Sequence, residues 1–460
     1  MKKNHTMRDM TEGSIPGHMM RFTVPLLLSN VFQQLYNAAD TVIVGRYLGK
    51  EALAAVGSAG AVMNILFFLI FGISMGASVI IAQYYGARRI ALVKKEMGTA
   101  CTAGMLFTVF IIILSFSSAD WVQRTIKTPD EILPQAVQYL RIIIGGLIFT
   151  FIYNMLSSAM RALGDANAPV IFLILSSGLN IILDLIFIRS FGMGTSGAAW
   201  ATVISQAAAA ILCVIHIRRK VPALRLAGQD FTVDPRLLRQ TIRFSGVYAV
   251  QQCVLYSGVL LVQGTVNSLG IDAMAAYNAG TKIDNFFLMP GDSLAAALST
   301  FAAQNTGAGN TKRIKAGLGY TIGIGLGFCG ILALLLLLTA PRMMGLFLDS
   351  SDSAVILLGT SYLRMMAVLY PLTALCNSFQ GFFRGIGNMK VTLIATLLQI
   401  PIRVVLSAIL VHRFALNAVP VAAGIGWIAM ILYEFYEYNR YRKSISSGNP
   451  ADKTAERSLA

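Results

Sequence analysis

Two carboxylates stand in segments otherwise suited to hydrocarbon. Asp184 is the single charge in "LNIILDLIFI", residues 179 to 188, and Asn180 precedes it by one helical turn. Asp40 closes "QQLYNAAD", where Gln33, Asn37 and Asp40 are spaced by four and three and so share one helical face, with Tyr36 beside it. Ser176, Asn180 and Asp184 step by four, as do Thr202 with Gln206 and Asn154 with Ser158. An acid in hydrocarbon costs at least about 2.5 kcal/mol by insertion scales, so these stripes should face a bundle interior or a wet cavity. Two chemistries fit such a chamber. Two acids close together can share a proton and release it when water enters. Alternatively Asp40, Asp184, the Asn180 carbonyl and the Thr202 hydroxyl supply the hard oxygens that Na⁺ prefers. The residues leave both open.

The elements that hold these stripes follow from composition. Of 460 residues 56% are hydrophobic and 13% charged, too apolar for an ordinary soluble enzyme. A helix needs only about 20 residues to cross a bilayer, and only helices satisfy the backbone in such continuous apolar runs. Twelve spans are predicted, near 18–44, 52–84, 94–118, 134–160, 167–189, 196–217, 240–268, 273–305, 316–340, 355–383, 390–411 and 417–438. With both termini cytoplasmic, 26 of the 37 Lys and Arg residues fall in inside segments, 7 in outside loops and 4 within spans. That is the positive-inside pattern of a multi-pass protein of a bacterial-type cytoplasmic membrane. A net charge of +16 spread over loops of one side is not a nucleic-acid patch. The five cysteines lie in apolar runs without a CxxC pair and read as small packing residues. The N-terminus lacks a short apolar core with a cleavage site, so the first span reads as a retained helix.

The chain is written twice. "GKEALAAVGSAG" at 49 and "AQYYGA" at 82 return as "GIDAMAAYNAGT" and "AQNTGA" 221 residues later. "YLR" at 139, Asn154 and "RALGD" at 161 return as "YLR", Asn377 and "RGIGN" after 223. Six spans repeated once make parallel repeats, since an even number returns the chain to its starting side. The organisation expected is an N-terminal lobe at 1–217, a cytoplasmic linker at 218–239, a C-terminal lobe at 240–440 and a polar tail at 441–460. Duplication supplies an internal control. The repeat places Ser407 opposite Asp184, Arg403 opposite Asn180 and Leu261 opposite Asp40, so the fold tolerates losing both acids.

The second lobe offers different chemistry. Lys282, Asp284 and Asp292 lie on the eighth span, and Gln399, Arg403 and Ser407 step by four along the eleventh. Asp284 and Asp292 could hold a cationic substrate or be neutralised by Lys282 or Arg403. "GLGFCG" at 325 sits in an apolar helix without a preceding strand, and Gly319, Gly323 and Gly327 read instead as a close helix-packing face. The four histidines are too dispersed for a zinc site. No nucleotide loop, metal cluster or nucleophile with its base has the spacing an enzyme needs, so any pumping draws on an ion gradient.

These residues resemble the multidrug and toxic compound extrusion (MATE) transporters over nearly the whole chain. The likeness rests on Pro25, Phe32, Tyr36, Asn37 and Asp40 at their family spacing, on "QYYGA" and "QNTGA", on "RALGDANAP" and on "LNIILD". It implies a V-shaped pair of six-helix bundles that alternate between openings and exchange H⁺ or Na⁺ for amphipathic, often cationic, organic compounds. No cofactor is implied; the expected partners are those small compounds and membrane lipids, with no nucleic acid and no protein partner. Carried onto this chain, the cation site is Asp40, Asn180, Asp184 and Thr202, with Tyr36 and Asn154 adjacent, and Pro25 is the place where the first helix bends. The substrate cleft would draw on Asp284, Asp292, Gln252, Asn377 and Arg403. One branch of the family keeps acids on the seventh and tenth spans; here those spans offer Gln251, Gln252, Asn377 and Gln380. A related class moves lipid-linked sugars, for which Arg403 and Lys282 would suit a basic cavity.

Overall fold

A computed structural model of the chain describes residues 7–348 and 352–447, so 448–460 of the polar tail, like Lys2 and His5, lie outside the described residues. The described residues form eleven α-helices and no strand: α1 (Ile15–Gly86), α2 (Ile90–Thr125), α3 (Leu133–Ala162), α4 (Asn167–Asp184), α5 (Gly194–Lys220), α6 (Pro235–Asn267), α7 (Ile271–Gly307), α8 (Thr311–Met344), α9 (Ser353–Gly385), α10 (Met389–Phe414) and α11 (Ala418–Ser447). Ten stretches are long and apolar enough to cross a membrane. Two of them, Ile15–Gly86 and Met389–Ile445, carry two crossings each, which makes twelve.

The doubled crossing in α1 has a single cause. Gly49 adopts φ 85° and ψ −176°, a conformation open essentially to glycine alone, and the helix direction breaks there. Its counterpart Gly270 has φ 95° and ψ 179° between α6 and α7. The same turn therefore joins the first two spans in both repeats, and in the first copy Gly49 is the residue that departs from helical geometry.

Two compact units form, one from Pro25–Ala249 with the residues up to Asp9, the other from Met10–Val24 and Val250 onward. In the first, α3 packs on α2 and α5, and α4 packs on α5. In the second, α7 packs between α8 and α9, and α10 lies along α11. The repeated "AQNTGA" explains why Met10–Val24 belongs with the second unit. Gln304 Oε1 accepts from the Met10 N–H at 2.9 Å, Asn305 Nδ2 donates to the Met10 carbonyl at 3.1 Å, and Arg313 donates to the Gly13 carbonyl at 3.0 Å.

The expected packing face on α8 is corrected. A Cβ at Gly319, Gly323 or Gly327 would meet nothing within 4 Å. The inward face lies two residues away, about 200° around the helix, where Gly317 abuts Phe301, Thr321 is buried and Gly325 meets Ala374. Of the cysteines, Cys213, Cys329 and Cys376 are buried, Cys101 is half-buried and Cys253 is exposed.

The 218–239 segment is fastened along α2 rather than slack. Thr99 Oγ1 donates to the Thr232 carbonyl at 3.3 Å and accepts from the Asp234 N–H at 3.2 Å. Gly98 touches the Asp230 carbonyl so closely that no side chain fits between them. Asp234 caps α6 by accepting from the Arg236 and Leu237 N–H groups at 2.8 and 3.1 Å, and pairs with Lys95 at 2.6 Å. That Lys95 bond, with the two backbone N–H groups, holds the Asp234 carboxyl below the usual carboxylate range.

Gly49→Ala places a Cβ where left-handed backbone is required and should lower stability by about 1–3 kcal/mol, read as a depressed melting temperature in detergent. Gly57→Ala, on regular helix with equal space around it, should leave the melting temperature unchanged or raise it. Asp234→Ala should cost about 1 kcal/mol at neutral pH through the lost cap. Because a depressed carboxylate stabilises above its unfolded value of about 3.9, the share owed to Lys95 should fade as pH falls through and below that value.

Candidate functional site

The first unit brings Tyr36 and Asp40 of α1, Asn180 and Asp184 of α4 and Thr202 of α5 together. Helix α4 starts where Asp165, in "RALGDANAP", accepts the Ala168 N–H through Oδ1 at 3.1 Å. It ends on Asp184, after which Leu185–Ser190 winds as a π-helix, seen in the Phe191 N–H bonding to the Ile186 carbonyl at 3.1 Å. Such wider turns concentrate at functional sites because they displace side chains from the regular helical face. The carboxylate thus sits on the last regular turn before the backbone changes pitch.

Asn180 and Asp184 are fully buried. With its amide turned so that both ends are satisfied, Asn180 donates through Nδ2 to Asp184 Oδ2 at 2.9 Å and accepts the Thr202 N–H at 3.2 Å. Tyr36 and Thr202 share a hydroxyl hydrogen bond of 3.4 Å. The carboxyls of Asp40 and Asp184 face each other within hydrogen-bonding reach, and Oδ1 of each is buried without a partner. No Lys, Arg or His pairs with either acid among the described residues. Asp184 is fully buried and Asp40 half-buried, and a shared proton or a bound cation would accommodate two such acids without a basic partner.

Asn154 is buried but donates to the Thr150 carbonyl of its own helix at 2.8 Å. Pro25 lies inside α1, whose helix runs through it, and the first unit's long segment begins at that residue. Sequence reasoning missed Tyr139, which is buried and lies in the field of Asp40, Tyr36 and Asp184. The signal was present: "YLR" recurs, and its second tyrosine, Tyr362, is likewise buried beside an acid, Asp284.

In the second unit, Asp284 is engaged. Tyr370 donates its hydroxyl to Asp284 Oδ1 at 2.6 Å, and Arg403 lies in electrostatic range of both Asp284 and Tyr277. Lys282 is exposed and pairs with neither acid. Asp292 is exposed and accepts from Asn377 Nδ2 at 3.2 Å; Gln252 is half-buried. A further acid escaped notice in the sequence: Glu434 of α11, fully buried, accepts from Gln380 Nε2 at 2.6 Å, and Gln251 donates to Gln380 at 2.9 Å. Glu96 of α2, also fully buried, accepts from the Thr241 hydroxyl at 2.6 Å. Neither acid stands in a polar stripe, which is why spacing did not reveal them.

The MatE family model matches twice, over residues 25–186 and 248–409. The chain is 30% identical to "Probable multidrug resistance protein YoeA" of Bacillus subtilis (strain 168), over 73% of this chain and 74% of that one. It is 26% identical to "Probable multidrug resistance protein YpnP" of the same organism, over 94% and 97%. Among solved structures, one described as MATE in the bent conformation superposes with a TM-score of 0.89 at 25% identity, over 95% and 98% of the two chains. The two family matches begin and end 223 residues apart, the displacement that relates "YLR" to itself.

Asn180→Leu removes a bond from Asp184 and one from the Thr202 backbone, and should cost about 1–3 kcal/mol of stability. Asp40→Asn combined with Asp184→Asn should then be clearly non-additive in thermal melts, because either change alone already relieves the pairing of the two acids.

Proposed function

Because the chain belongs to the multidrug and toxic compound extrusion family of multi-pass membrane transporters, and is not an enzyme, we propose that it is an ion-coupled antiporter. It exports amphipathic, cationic organic compounds across a bacterial cytoplasmic membrane in exchange for H⁺ or Na⁺, with both termini in the cytoplasm. The names of its relatives, multidrug resistance proteins, support the substrate class. The observation that carries the coupling is the Asp40–Asp184 pair, one acid half-buried and the other fully buried, face to face and without a counter-ion.

The state of the Asn180 amide relates the two candidate ions. With Nδ2 on Asp184, the acids can hydrogen-bond to each other only through a proton held on one of them. Turning the amide by half a revolution brings its carbonyl toward Asp184 and, with the Thr202 hydroxyl, completes an oxygen set for a small cation. Either ion drives transport only if it binds the two conformations of the protein with different affinity. Release from Asp184 would act directly on the turn between the α- and π-helical segments, and release from Asp40 on α1, which carries Pro25 and its missing backbone donor.

On the substrate side, Asp284 is engaged by Tyr370 and has Arg403 in electrostatic range, so Asp292 with Asn377 is the carboxylate more available to a cationic compound.

Dye efflux from proteoliposomes, with a pH gradient and a Na⁺ gradient imposed separately, tests this reading. Transport should respond to one gradient, and Asp184→Asn and Asp40→Asn should each reduce the driven rate at least about tenfold while dye binding persists. Driven transport at the wild-type rate in both variants would overturn the assignment.

A further inference from the structure

Away from the paired acids, the first unit contains a cavity of about 880 Å³ walled by α2, α3 and α5. Its lining is mostly apolar, with Phe116, Phe149 and Trp200 as aromatic walls, and its polar end carries Gln138 and Arg141. The charge balance there is uneven. Asp120, at the rim, is taken by Arg124, whose Nε bonds it at 2.8 Å. Among the described residues Arg141 has no carboxylate partner; its guanidinium stands 5.5 Å from the Phe116 ring, and its Nε is buried without a hydrogen bond. A cation–π contact of about 1–2 kcal/mol leaves most of the guanidinium's hydrogen-bonding capacity unused. Arg141 is half-buried, whereas its repeat counterpart Arg364 is exposed, so the fold does not require the inward placement.

The depth of Arg141 selects the ligand. Helix α3 has 30 residues, about 45 Å, so it overreaches a hydrocarbon core of about 30 Å by some 7 Å at each end. Arg141 begins eight residues in, about 12 Å from the α3 start, and its side chain leans back toward that start. The guanidinium therefore reaches the level where phosphates meet acyl chains. Beyond it, a Cβ on Gly145 would meet nothing within 4 Å, so the cavity is open along the helix at that point.

We propose that this cavity binds one phospholipid of the leaflet at the α2–α3 turn, its phosphate on Arg141 and one acyl chain along Phe149 and Trp200. An unpaired guanidinium takes phosphate through paired charge-assisted bonds, and basic pockets between spans suit anionic lipid headgroups. The site is separate from the acids of the coupling proposal and stands whether or not that proposal does.

Trp200 supplies the reporter. In a Trp121→Phe, Trp427→Phe background it is the sole tryptophan, and the full-length protein in micelles can be titrated with phosphatidylglycerol brominated on its acyl chains. Quenching should saturate, while brominated diacylglycerol, which has the tails but no phosphate, should not saturate over the same range. Arg141→Gln should raise the midpoint about tenfold, the loss of one charge-assisted hydrogen bond, and Arg141→Lys should recover most of it. Gly145→Leu, which fills the open wall, should reduce the amplitude. Equal quenching by the two brominated lipids in the unmutated-pocket protein, a comparison that needs no pocket variant, would show an unspecific lipid annulus and overturn the proposal. So would superimposable wild-type and Arg141→Gln titrations.

Discussion

Inside a bilayer no water completes an unfinished hydrogen bond, and the architecture of this chain follows from that one constraint. The backbone answers it by becoming helix throughout the spans. Side chains answer it locally: Ser74, Thr108, Ser293 and Thr321 each bond a carbonyl three or four residues back in their own helix. A hydroxyl folded onto its own helix is chemically quiet. What stands out are the groups that cannot be quieted in this way, the carboxylates, whose second oxygen remains unpartnered at Asp40, Glu96, Asp184 and Glu434.

Duplication shows how one scaffold carries two kinds of chemistry. Tyr139 and Tyr362 occupy equivalent places and are buried in both copies. Around them the polar groups diverge: Asn180 becomes Arg403 and Asp184 becomes Ser407, while the acid near Tyr362 comes instead from α7 as Asp284. The second copy thereby holds an acid bonded by a phenol with an arginine in electrostatic range, where the first holds two acids and an amide.

Much of this was legible in the sequence, for reasons specific to membranes. Long apolar runs fix the spans because lipid removes alternatives to helix, and Gly49 and Gly270 were visible as matched positions that open a repeated motif. The stripe from Ser176 to Asp184 revealed its face because polar residues are rare enough there for spacing to carry information. Glu96 and Glu434 were not legible: each is a lone acid near a polar segment, and only tertiary structure supplies Thr241 and Gln380 as partners. The α8 glycines failed differently. Two stripes of equal spacing ran along one helix, and period alone could not say which one faced Phe301 and Ala374.

The turn at Gly49 leaves the chain little slack at that point. Arg46, Lys50 and Glu51 are the charges exposed on either side of it, and the break is made by one backbone conformation rather than by a loop. Loops absorb insertions and deletions because their backbone lies outside the packed elements. A turn concentrated on one glycine has no such reserve, so one residue added or removed beside it would rotate one span by about 100° against the other.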